Sequence, residues 1–266
     1  MNRYKKKLFR HAFALAAMFG CASASHAYDE IQVYNNAIND PGQFGLEMHS
    51  NYVVDGRRRP SYLGELAPNH ILAFTPEFSY GVTPFFELGL YLPFSVSLDR
   101  NLSYMDGAKL RTKFLNAKDP DFYYGLNIEV GMEPSRYSQT RWNSELRPII
   151  GGNLGDWSIA FNPNLEIALS GNSLKPSFGP QIKVMRNLNS LVAVGVEHYT
   201  DLGTPDRIVA SRKQTHTTYL VTDLAIGNID VNIGVGRGWT NVADDWTVKI
   251  IVGGIPFMDL FQRALR

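Results

Sequence analysis

The sequence predicts an all-β protein: an antiparallel transmembrane β-barrel of about twelve strands, with short periplasmic turns and longer extracellular loops. Three observations predict it. The chain opens with an export signal, its segments alternate between apolar and polar residues with a period of two, and its connections alternate between short and long.

Arg3, Lys5, Lys6, Lys7 and Arg10 precede a short apolar core at 12–22, and Ser25-His26-Ala27 reads as an A-x-A-like cleavage site. Residues 1–27 are therefore expected to be a cleaved signal peptide. The apolar core is too short for a membrane-spanning helix. Lipoprotein processing at Cys21 is poorly served by Phe19, where a small residue is wanted. The full chain carries 26 basic and 25 acidic residues, a net charge of +1. Removing five basic residues with the signal leaves −4, and it also removes the single cysteine. A mildly acidic chain without disulfides does not suit nucleic acid and must be held by packing or by lipid. No run of eighteen apolar residues follows the signal.

The clearest alternation is Phe86 to Leu98. Phe86, Leu88, Leu90, Leu92, Phe94, Val96 and Leu98 share one face, and Glu87, Gly89, Tyr91, Pro93, Ser95 and Ser97 share the other. A strand of about thirteen residues suits a tilted bilayer crossing better than a soluble sheet. The same pattern recurs from Phe122 to Glu133 and from Trp157 to Ser170. Strands are expected at 43–54, 70–80, 85–98, 108–115, 122–133, 143–152, 157–169, 177–186, 191–201, 217–226, 230–238 and 246–257, so the barrel occupies 43–257. Residues 28–42 are assigned to a periplasmic N-terminal segment. Residues 258–266 are assigned to a short periplasmic tail with apolar residues at helical spacing. Pro76, Pro93, Pro148, Pro163 and Pro180 fall inside strand runs and are read as bulges or kinks. Aromatic residues gather at both ends of the strands: Phe44, Tyr80, Phe85, Phe114, Phe122 and Trp157 near the short turns, and Tyr52, Phe94, Trp142, Trp239 and Trp246 near the long loops. They fit the two interfaces of a bilayer.

If the apolar row meets lipid, the other row lines the lumen. Glu77, Glu87, Lys109, Arg111, Lys113, Glu129, Arg147, Glu166, Lys183 and Glu197 are the candidate lumen residues. Neighbouring strands often carry opposite signs, which reads either as a charged pore selecting solutes or as an ion-pair network packing a narrow interior. His49, His70, His198 and His216 show no metal-ligand spacing. There is no G-x-S-x-G elbow, so no enzyme, cofactor or metal is expected. The run Asp55-Gly56-Arg57-Arg58-Arg59 is either a solvated loop or an Arg clamp for lipopolysaccharide phosphates.

Two stretches, Tyr80-Gly81-Val82-Thr83-Pro84-Phe85-Phe86-Glu87-Leu88-Gly89-Leu90-Tyr91-Leu92-Pro93-Phe94 and Asp230-Val231-Asn232-Ile233-Gly234-Val235-Gly236-Arg237-Gly238 with Asp245-Trp246-Thr247-Val248-Lys249, resemble outer-membrane barrels of the meta-pathway phenol-degradation family. The resemblance implies a transporter of small organic compounds. The expected function is a channel passing small solutes, amphiphilic or aromatic ones included. The alternatives are a plugged structural or assembly barrel and a lipid-modifying barrel enzyme. Expected partners are outer-membrane lipid and lipopolysaccharide, the solute, and the barrel-assembly machinery through the C-terminal strand.

Overall fold

The computed structural model describes residues 30–119, 121–171 and 176–255. The expected signal peptide at 1–27, Phe257 and the expected tail at 258–266 lie outside the described residues. Period-two alternation becomes a single closed sheet. Its strands are β1 (Phe44–Asp55), β2 (Ile71–Thr83), β3 (Phe86–Tyr91) continued by β4 (Phe94–Ser97), β5 (Leu102–Met105) continued by β6 (Ala108–Asp119), β7 (Phe122–Met132), β8 (Trp142–Leu154), β9 (Trp157–Ala168), β10 (Ser177–Asn187) and β11 (Val192–Asp201). A small hairpin, β12 (Gly203–Thr204) and β13 (Arg207–Ile208), sits in a loop, and β14 (Thr215–Ile226), β15 (Ile229–Gly238) and β16 (Trp246–Gly253) complete the wall. Strands pair antiparallel with their neighbours, and β1 pairs with both β2 and β16, so twelve spanning strands close into a barrel, with β5 paired among the described residues on one side only, to β4.

The apolar row faces outward. Leu88, Leu110, Phe122, Phe161, Leu220 and Ile233 are exposed on the outside, while Glu87, Arg111, Asn127 and Asn162 are buried within. Both aromatic belts also point outward, as Phe44, Phe85, Phe122, Trp157, Trp142 and Trp246 do.

The prolines act locally, because proline brings no N–H to the ladder. Pro93 separates β3 from β4. Pro163 on β9 lies opposite Pro180, and β8–β9 pairing lapses between Leu146↔Leu165 and Ile150↔Phe161, the stretch that holds Pro148 and Pro163. Bulges fall between Val53 and Asp55, between Gly81 and Thr83, and between Asn116 and Asp119. The last carries β6 four residues past its expected end at Leu115.

One placement differs from the sequence reading. Residues 30–39 do not lie outside the barrel; they run inside it. The chain passes the turn end of β2 at close quarters. Gly42 N donates to Gly81 O at 2.8 Å and Gly81 N to Gln43 O at 3.0 Å. A Cβ on Gly81 would lie 2.2 Å from Asp40 O, so only glycine admits this passage. The physical reason for the placement is apolar. Ile31, Val33 and Tyr34 join Leu115, Tyr123, Ile149, Ala160, Met185, Tyr199, Tyr219 and Val221 in one buried cluster inside the wall.

At the loop end, two extracellular-type loops pack on each other. Leu66, Ile71 and Tyr137 form a second apolar cluster with Tyr104 beside it. Arg136 stacks 4.7 Å from the Tyr104 ring centre and donates to Asp106 at 2.9 Å. Asp244 lies at the same end and accepts the Arg57 N–H at 3.3 Å. Burial raises the Asp244 carboxyl to about 6, against the opposing pull of Arg57. A carboxyl raised in the packed state favours that state when protonated. The junction between the loops at 56–69 and 239–245 should therefore loosen as pH rises from about 4 through about 6. Amide exchange at Gly56 and Arg57 should be faster at pH 7 than the intrinsic pH dependence accounts for, and Asp244→Asn should remove the excess. An excess that persists in the Asn variant would assign the effect to another group.

Candidate functional site

The lumen at mid-barrel is the candidate site. All ten charged residues proposed from the sequence lie on the inward row, and most are buried. They are inward because each shares the parity of its strand's polar row. Strand register then decides which of them meet. Glu87 lies opposite Lys113 across β3–β6, and Arg111 opposite Glu129 across β6–β7.

Side-chain contacts extend this into two networks. In the first, the Arg111 guanidinium reaches Glu87 at 2.7 Å and Glu77 at 2.5 Å, and Lys113 reaches Glu87 at 2.9 Å. Arg147 holds Glu145 with two bonds of 2.6 and 2.9 Å. Such forked pairs fix geometry as well as charge. Asn127 donates to Glu129 at 2.8 Å. In the second network Glu197 is shared by Lys249, by Lys183 at 3.2 Å and by the Tyr199 hydroxyl at 2.5 Å, while Lys183 also reaches Asp223 at 2.8 Å. Lys109 turns instead to Glu30, at 2.8 Å. Glu166 lies opposite Glu145 on the inward row nearer the loop end.

The N-terminal segment joins the two networks. A buried backbone must find hydrogen-bond partners, and here the wall's side chains supply them. Asn162 accepts from Tyr34 N at 2.6 Å and donates to Tyr34 O at 3.1 Å, so one amide replaces a strand partner. Arg147 donates to Gln32 O at 2.9 Å, and Lys249 donates to Ile31 O at 2.9 Å. Asn39 N donates to Glu87 at 2.7 Å. The Tyr34 hydroxyl bonds the Tyr91 hydroxyl and donates to Glu129 at 3.1 Å. Its ring lies 4.4 Å beneath the Arg147 guanidinium. The segment is fastened by polar side chains on its backbone and by apolar contacts on its own side chains.

Sequence reasoning placed Asn162, Tyr91 and Lys249 on inward rows but missed the inner segment that they anchor. The signal available was chemical: Tyr123, Ile149, Met185, Tyr199 and Val221 are apolar or aromatic residues on rows assigned to a wet lumen. The histidines also look different in three dimensions. His49 sits between Glu47 and Glu77, a grouping that linear spacing does not reveal. His198 and His216 stack 5.6 Å apart, and His70 bonds Asp99 at 2.7 Å. In the arginine run, Arg57 is committed to Glu65 at 3.0 Å, and Arg58 points outward beside Asp55.

No family model and no curated protein matches the sequence. Solved structures do. An outer membrane channel from Pseudomonas putida F1 shares the fold with a TM-score of 0.53 at 10% identity, covering 84% of this chain and 99% of its own. LpxR from Salmonella typhimurium aligns at 8% identity over 79% of this chain and 99% of its own, with a TM-score of 0.43. Outer membrane phospholipase A from Escherichia coli aligns at 12% identity over 86% of this chain and 96% of its own, with a TM-score of 0.45. The chain is an outer-membrane β-barrel. One expectation is corrected: the sequence reading expected no enzyme and kept a lipid-modifying barrel only as an alternative, yet barrels of lipid-modifying enzymes are among the matched structures. At this identity only the fold is shared, so the likeness transfers no activity, but the expectation of no enzyme does not stand.

Proposed function

We propose that the chain is an outer-membrane channel for small solutes whose lumen is closed by its own N-terminal segment. The observation that carries this reading is how the segment is held. Its backbone is bonded by Asn162, Arg147 and Lys249 side chains and is not a strand of the wall, so it can leave without opening the barrel. Its departure would expose the rings of Tyr91, Tyr123, Tyr199 and Tyr219 beside ion pairs. Such a mixed lining suits small organic solutes with an aromatic or amphiphilic part, which the resemblance to the meta-pathway barrels also implies. Passage would be diffusion biased by charge and constriction.

Conductance in planar bilayers tests the reading. The full mature protein is expected to conduct little, with rare openings. A variant lacking residues 28–38 is expected to show steady openings of several-fold larger conductance. Equally low conductance from a correctly folded variant would favour a structural barrel that passes no solute.

A further inference from the structure

We propose that Glu47, His49 and Glu77 form a binding site for a divalent transition-metal cation of the zinc class inside the lumen. Glu47 and His49 are two residues apart on β1, so both point inward. The register pairs Glu47 with Glu77 across β1–β2, which brings the second carboxylate to the same place. His49 Nε2 lies 3.0 Å from Glu47 Oε1 and 3.3 Å from Glu77 Oε2. The three ligand atoms lie within 4.8 Å of one another. Four-coordinate zinc binds imidazole nitrogen and carboxylate oxygen at roughly 2.0–2.2 Å, which sets neighbouring ligand atoms about 3.3 Å apart. A cation can thus take the place of the Nε2 proton with little movement of either Nε2–carboxylate pair.

The surroundings fit that role. His49 is buried and its Nδ1 has no partner, so the ring is committed only through the nitrogen aimed at the two carboxylates. Arg111 holds Glu77 by Oε1 at 2.5 Å and leaves Oε2 to the site. Gln32 donates to Glu47 Oε1 at 2.8 Å, and the oxygen retains a second lone pair. Outer partners of this kind orient ligating carboxylates. The Glu47 side chain is 30% exposed, which gives an ion and a fourth, water ligand a way in.

Charge adds to this. At the site itself the Glu47 and Glu77 carboxylates share the ionisable His49 ring, and Arg111 is divided between Glu77 and Glu87. Two carboxylates brought together in a largely buried place are costly without counter-charge, and a divalent cation supplies it. One imidazole with two carboxylates favours zinc over calcium or magnesium, which want six or more oxygens. The site stands whether or not the lumen conducts.

The test is calorimetric titration of the chelator-stripped mature protein in detergent with zinc chloride and, in parallel, calcium chloride. One zinc ion per chain is expected, with at least tenfold weaker binding of calcium. Glu47→Gln and His49→Gln should each weaken zinc at least tenfold, and X-ray absorption should report a mixed nitrogen and oxygen shell. Heat-modifiable migration on gels checks folding. If His49→Gln does not fold, Glu47→Gln decides, because its side chain is the most exposed of the three. Undetectable zinc binding would overturn the proposal. So would zinc affinity unchanged in folded Glu47→Gln, which would place the ion elsewhere, or calcium binding as tight as zinc.

Discussion

Lys249→Met should destabilise the barrel by about 3–5 kcal/mol, the usual cost of removing one partner from a buried ion pair. Lys249 is 0% exposed. Its ammonium pairs with Glu197, donates to Ile31 O at 2.9 Å, and lies 5.5 Å from the Tyr219 ring centre. Methionine fills similar volume, so the loss is electrostatic and not a cavity. Lys183 and the Tyr199 hydroxyl remain on Glu197, which should hold the cost toward the lower end of the range. The Ile31 carbonyl loses its donor as well, so the inner segment should loosen: a cysteine placed at Val33 should react faster with a water-soluble reagent. Lys249→Met combined with Glu197→Gln should recover much of the stability, because a neutral pair of similar shape leaves no unpaired charge. Urea unfolding in lipid vesicles, followed by tryptophan fluorescence, measures all three variants. A cost under about 1 kcal/mol for the single change would mean that water already reaches the pair.

The wall was legible in the sequence because a strand's side chains alternate whatever its partners are. Phe86–Leu98, Phe122–Glu133 and Trp157–Ser170 each carried both faces in full view, and the ten inward charges followed from parity alone. Parity does not give register. That Glu77 stands beside Glu47, or that Arg111 bonds Glu77 and Glu87 while sitting opposite Glu129, depends on how far each strand slides along the next. The inner segment was illegible for a different reason. Ile31-Gln32-Val33-Tyr34 is too short to announce a strand, and its bonds run to side chains more than a hundred residues away, such as Asn162 and Arg147. The inward apolar residues were its only trace. A lumen that needs Tyr123, Ile149, Met185 and Val221 has something apolar to hold, and the chain's own Ile31 and Val33 are what it holds.

The same packing reverses one expectation about mutating the two faces. Leu90 on β3 points to lipid, and arginine there should cost about 2–4 kcal/mol if it lies near the bilayer midplane. The sequence alone suggests that arginine at the neighbouring inward Gly89 is milder, because a wet lumen tolerates charge. The lumen is not open at that depth. A Cβ on Gly89 would already lie 2.5 Å from Arg111 Nε, and Arg111 is 2% exposed and held between Glu77 and Glu87. A second guanidinium at Gly89 has no volume to enter, repels Arg111, and displaces the ion pairs that fasten β2, β3 and β6 together. Gly89→Arg should therefore be more damaging than Leu90→Arg, with loss of the folded, heat-modifiable band where Leu90→Arg keeps it. The less bulky Gly89→Ala should already destabilise measurably, because even one carbon meets the guanidinium. If Gly89→Arg folds and costs less than Leu90→Arg, the lumen at this depth holds water, and both the ion-pair packing and the closing role of residues 30–39 would have to be given up.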